Sequence, residues 1–170
     1  MARCLSTVCL CALGALFLGA PAFAGELDLP QGKPILEVSG AISSTNIGET
    51  AVFDRVMLEA LGAESITTKT QWSDGRTEFS GIRLAKLMEM LGAQGNSVTA
   101  TALNDYVTTI PMTDFFDFDV ILALKRDGEY MSVREKGPLF IVYDYDSDPV
   151  LQTQTYFARS AWQVTKLVVE

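Results

Sequence analysis

The sequence predicts an α+β fold with a mixed β-sheet or barrel-like core and two main helices. Three observations lead there. Two segments repeat apolar residues at helical spacing. About eight others are β-branched or alternating and read as strands. The two kinds do not alternate as regular βαβ units.

The chain opens with a segment read as a signal peptide. Arg3 is its lone charge, residues 5–18 form an apolar run too short to cross a membrane, and Pro21 and Ala22-Phe23-Ala24 follow. Cleavage after Ala24 is expected to leave residues 25–170 as one domain, 170 − 24 = 146 residues. One arginine instead of an adjacent pair points to export of the unfolded chain, so the expected location is periplasmic or secreted. No later segment has the apolar length of a membrane span.

Residues 25–34 read as a lead-in, and Ile35, Leu36 and Val38 as a first strand ending near Gly40. After a polar loop at 43–48, Phe53, Val56, Met57, Ala60 and Leu61 suggest a first helix, capped by Thr50 and stopped by Gly62. Residues 64–72 are Thr-rich and extended; Ser73-Asp74-Gly75 turns, and a short strand runs over 76–79. A second helix follows Gly81, with Leu84, Leu87, Met88 and Leu91 on its buried face and Gly92 as its stop. Strands are then expected at 97–103 and 106–110, at 120–124 and 130–133 around the hairpin pair Asp127-Gly128, and at 139–143 and 162–169.

Composition excludes several chemistries. Without Arg3, 12 Lys and Arg face 21 Asp and Glu, so 12 − 21 = −9, which argues against nucleic acid and anionic lipid as partners. All three cysteines, Cys4, Cys9 and Cys11, lie in the signal segment, and the chain has no histidine. That removes disulfides, thiolate nucleophiles, imidazole bases and the usual zinc sites from residues 25–170.

Five polar groupings remain. Asp144-Tyr145-Asp146-Ser147-Asp148 has the spacing that opens a calcium loop, but Pro149 and Thr155 occupy the positions needing Gly and Glu, so it reads as an acidic surface turn. Asp114, Asp117 and Asp119, among Phe115, Phe116 and Phe118, read as a solvated surface loop. Asn104-Asp105-Tyr106 reads as a turn, or as a polar cluster at a sheet edge with the Tyr106 hydroxyl at a pocket wall. Arg134-Glu135-Lys136-Gly137-Pro138 reads as a strand connection, or as an anion-holding loop. Arg159 and Trp162 can stack or take an anionic ligand, or Trp162 is core.

The order of several stretches resembles the oxidoreductase molybdopterin-binding domain, the sulfite oxidase-like family. These are Phe79-Ser80-Gly81-Ile82-Arg83-Leu84, Ala102-Leu103-Asn104-Asp105-Tyr106, Lys136-Gly137-Pro138-Leu139 and Arg159 to Gln163, and the likeness spans about residues 35–169. The resemblance implies an α+β fold around a buried pterin. It also implies a cysteine thiolate on molybdenum, upstream of the second helix. The corresponding stretch here, Ile66-Thr67-Thr68-Lys69-Thr70-Gln71-Trp72, has no thiol, and alcohols are poor stand-ins for a soft ligand. The family's pterin-holding histidine is absent too.

The expected function is therefore recognition: a small ligand, anionic if the cations converge, or a periplasmic protein partner in the cofactor cleft. No metal ligand or bound cofactor is expected, although the resemblance allows molybdopterin, and the sequence leaves catalytic residues unassigned. Candidate binding residues are Trp72, Asn104, Asp105, Tyr106, Arg134, Lys136 and Arg159. The alternatives are a molybdopterin-dependent oxidoreductase with non-cysteine ligation, and an interaction module without ligand.

Overall fold

The structure, a computed structural model, describes residues 27–170. The segment read as a signal peptide, with its cysteines, lies outside the described residues. Ten strands and four short α-helices form two open sheets, with no closed barrel among the described residues.

In the first sheet the order is β2 (Ala51–Asp54), β1 (Pro34–Gly40), β10 (Val164–Val169), β5 (Ser97–Ala102) and β6 (Val107–Pro111). Only β1 and β10 run parallel there, so the two ends of the described chain lie side by side. In the second sheet β3 (Glu64–Lys69) pairs with β4 (Arg76–Arg83), and β4 with β7 (Val120–Arg126). The far edge of β7 is shared by β8 (Glu129–Tyr130) and β9 (Phe140–Tyr143).

Helix α2 (Leu84–Met90) packs on β4 and β7, burying Leu84, Leu87 and Met88 as its spacing predicts. Leu91 is fully buried behind them. These side chains join β1, β5, β7, β9 and β10 residues in one hydrophobic cluster, which glues the two sheets together. The Asp127-Gly128 hairpin forms, with both residues at positive φ and Lys125 opposite Tyr130.

The first predicted helix is corrected. Residues 51–54 form β2, with all four positions buried, and α1 (Arg55–Ala60) starts later, capped by Asp54 instead of Thr50. Leu58 is its buried residue, and Val56, assigned to the apolar stripe, is 71% exposed. A four-residue strand buried on both faces has the same apolar density as a helix face, so periodicity misassigned it.

Other elements differ as well. Strand β4 continues through Gly81 to Arg83, because the glycine lets β7 come close at the register shift between Ser80 and Gly81: a Cβ there would sit 2.0 Å from the Leu122 carbonyl oxygen. The predicted strand at 130–133 stops at Tyr130, and Val133–Glu135 is a 3-10 turn closed by a Ser132–Glu135 capping box. Two helices were unforeseen: α3 (Met112–Asp117), in the stretch read as a surface loop, and α4 (Gln154–Arg159). Among the described residues no helix is long and apolar enough to cross a membrane.

Candidate functional site

Four short segments converge on one cleft of about 220 Å³. The β3–β4 connection brings Gln71 and Trp72, the β5–β6 turn brings Asn104 and Tyr106, α4 brings Gln154 and Phe157, and Ser160 and Trp162 follow it. Trp72 is the hub, since its ring meets those of Trp162, Phe140, Phe157 and Tyr145 edge-on at 5.5–6.4 Å. The Tyr106 hydroxyl donates to the Ala158 carbonyl at 2.7 Å and ties the β5–β6 turn to α4.

The backbone around this cleft is unusual. Among the described residues, four non-glycine residues have positive φ: Asp105, Asp127, Lys136 and Gln163. Asp127 belongs to the hairpin; the other three flank the aromatic cluster. Such conformations carry strain and gather where the surrounding structure has to fix a side chain's direction. Gln163 is the knot. Its amide donates to the Lys136 carbonyl, its own carbonyl accepts from Leu103, and its side-chain amide donates to the Val133 carbonyl at 2.7 Å. Sequence reasoning missed Gln163, since a glutamine carries no signal of backbone geometry.

Lys136 lies against the same cluster. Its ammonium is 4.0 Å from the Trp162 ring centre and 5.4 Å from that of Trp72, with Phe140 at 5.9 Å. No carboxylate lies within 4.0 Å of it among the described residues. Burial first, and the charge of Arg126 second, hold its amine below the ordinary lysine value.

The predicted cations do not converge. Arg159 donates to Asp114 at 2.8 Å, and the same carboxylate oxygen accepts from the Tyr143 hydroxyl at 2.8 Å. Asp114 is 5% exposed, so the surface-loop reading of this residue is overturned, although Asp117 and Asp119 are exposed as expected. Burial, and then the Asp114 carboxylate, push the Tyr143 phenol far up, so it stays a donor. Arg134 is exposed on its 3-10 turn and Asp105 on its own turn, and neither lines the cleft. The cleft thus takes Trp72, Asn104 and Tyr106 from the predicted set, with Lys136 stacked on its wall.

Two of the three carboxylates in the acidic turn have partners, whereas the buried Asp144 Oδ1 accepts no hydrogen bond among the described residues. Asp146 pairs with Arg76 at 3.2 Å, and Asp148 accepts from the Val150 amide at 2.9 Å. Among the described residues no group of three or more acidic side chains is placed to hold a metal ion.

A family model described as the oxidoreductase molybdopterin binding domain matches residues 54–144, from β2 through β9. The chain belongs to this family. A comparison with curated proteins finds no match. The matched region of this molybdopterin-binding domain includes Trp72, Asn104, Tyr106 and Lys136 of the aromatic cluster.

Molybdenum in such a domain would need a donor near the β3–β4 connection. The Thr68 hydroxyl is fully buried and accepts from the Asp146 amide at 3.1 Å. The Thr70 hydroxyl bonds Ser73 at 2.9 Å and accepts from the Trp72 amide at 3.2 Å. Both are hard, neutral oxygens already engaged, and no cysteine or histidine stands anywhere in residues 25–170. This donor set does not fit a thiolate-ligated molybdenum centre.

Proposed function

We propose that the protein is an exported member of the molybdopterin-binding domain family that acts by recognition, without a molybdenum ligand of its own. The cleft around Trp72 and Trp162 is the binding site of this reading. One observation carries it: the cleft wall is rings and neutral polar groups. Trp72, Tyr106, Phe157 and Trp162 supply rings, and Gln71, Asn104 and Gln154 supply neutral amides. Of the two cations beside the cleft, Arg159 is already neutralised by Asp114, and the Lys136 ammonium is taken up by the Trp162 and Trp72 rings. The ligand that suits such a wall is small, flat and uncharged, with amide-like edges. A cleft of about 220 Å³ lies below the range of drug-sized sites, so one or two rings fill it.

Metal content and ligand binding test this together. Protein expressed with its own signal in a molybdate-fed host, and purified from the periplasm, should start at Gly25 and carry no stoichiometric molybdenum. About one molybdenum per chain, retained on dialysis, would overturn the reading and favour oxidoreductase chemistry with unusual ligation. The chain has two tryptophans, Trp72 and Trp162, and both line the cleft, so intrinsic fluorescence reports on it directly. Nicotinamide and xanthine should quench saturably, and benzoate should not. Quenching by benzoate alone would restore an anionic ligand and make Lys136 its anchor.

A further inference from the structure

A second concavity, distinct from the aromatic cleft, opens between the outer face of β1 and β10 and the segment joining β8 to β9. Its volume is about 570 Å³. Ile35, Leu103, Val133 and Pro138 form apolar parts of its wall, and Lys33, Arg55 and Lys166 bring cations to it, against one carboxylate, Glu37.

Two features separate this groove from the rest of the surface. The first is charge. Residues 25–170 carry a net −9, yet three of their 12 cations line one groove. Lys33 and Arg55 have no carboxylate within 4.0 Å among the described residues. Arg55 instead lies 4.3 Å from the centre of the Tyr130 ring. Lys166 meets Glu37 only at 3.8 Å, and both side chains are half exposed, so water screens the pair.

The second feature is apolar exposure. Leu103 and Val133 are 52% and 51% exposed, and both belong to the groove wall. A partner chain crossing it would cover them while its carboxylates met the cations.

We propose that this groove docks an acidic segment of a partner protein, with one or two large apolar residues between its carboxylates. Apolar anchors would fill the space beside Leu103 and Val133, and the carboxylates would be drawn to Lys33, Arg55 and Lys166. Opposite charge on a net-acidic protein also steers the encounter, so binding should weaken as salt rises. The inference is independent of the aromatic cleft, because no tryptophan lines the groove.

The test uses residues 25–170 and a fluorescein-labelled peptide of sequence EDLEFDEL, followed by fluorescence anisotropy. Saturable binding is expected, weakening at least about tenfold between low and moderately high salt. The double variant Lys33→Glu/Arg55→Glu, and separately Val133→Asp, should each weaken binding by about tenfold or more. Lys86→Glu, an exposed charge reversal elsewhere, should leave it unchanged. Circular dichroism confirms that each variant is folded, and the two groove variants change different chemistry, so misfolding in one leaves the other informative. Absence of saturable binding overturns the proposal. So does equal binding of the basic peptide KKLKFKKL, or unchanged affinity in both groove variants. Laurate that binds saturably and excludes the peptide would overturn it as well, making the groove a site for anionic lipid.

Discussion

A single carboxylate, Asp54, closes the first helix and the chain's lead-in together. One of its oxygens accepts from the Met57 amide at 2.9 Å, and the other from the Gln31 and Gly32 amides at 2.8 and 2.6 Å. The Met57 bond, and then the Gly32 bond, hold the carboxyl below its ordinary value of 3.8. A group lowered in the folded state stabilises above its unfolded value, and that stability is lost as pH falls through the folded value. Asp54→Asn should therefore be less stable than the parent at neutral pH, with the gap closing below about 3.8; denaturant melts at both pH values measure it. Asp114 makes a second case. Removing it leaves the Arg159 guanidinium and the Tyr143 hydroxyl short of a partner, so Asp114→Ala should cost about 1–3 kcal/mol. Asp117→Ala, on the exposed side of the same short helix, should change stability by less than about 0.5 kcal/mol. Lys136 offers a spectroscopic check: carbon NMR of labelled lysine side chains should find one amine titrating below the ordinary 10.5, absent in Lys136→Met. The aromatic handles Trp72 and Tyr106 could be picked out by residue type alone. The partner of Arg159 could not, because Asp114 lies 45 residues away and nothing local marks it.

Legibility among the elements followed length and burial geometry. Helix α2 was readable because its stripe of Leu84, Leu87, Met88 and Leu91 meets one core face while Lys86 stays exposed. Leu87→Ala should then cost about 2–5 kcal/mol in chemical denaturation. Val56→Ala, from the stripe assigned to the first helix, should cost under about 0.5 kcal/mol, since Val56 is 71% exposed. Helices α3 and α4 escaped notice because each is only six residues long, too short for a 3.6-residue period to repeat convincingly. Gly81 misled in another way. It reads as punctuation before a helix, yet its job is to let β4 and β7 lie close at their register shift, where a Cβ would also come within 2.6 Å of the Ala123 Cα. Gly81→Ala meets backbone on the far side and cannot be relieved by a rotamer change. It should destabilise at least as much as ordinary overpacking, about 1–3 kcal/mol, with the loss visible as a lower melting temperature.

The whole molecule joins two sheets through one hydrophobic cluster, and the aromatic cleft lies where connections from both sheets meet. That placement is long-range in origin. Trp72 comes from the β3–β4 connection of one sheet and Tyr106 from the β5–β6 turn of the other, and Trp162 leads into the last strand, β10. If the two sheets melt as one body, tryptophan fluorescence and far-ultraviolet dichroism should give coincident transitions, and Leu87→Ala should shift both by the same amount. By itself, the sequence determined the α+β class, the buried face of α2, the Asp127-Gly128 hairpin and the lack of thiol or imidazole in residues 25–170. Those are matters of local periodicity, turn chemistry and residue count. Only the tertiary structure decided that Arg159 is spent on Asp114, that Lys136 rests on tryptophan, and that Gln163 knots three segments together. Each depends on which distant side chains meet once the strands have paired, and strand pairing is set by the whole core, so no local stretch of sequence encodes it.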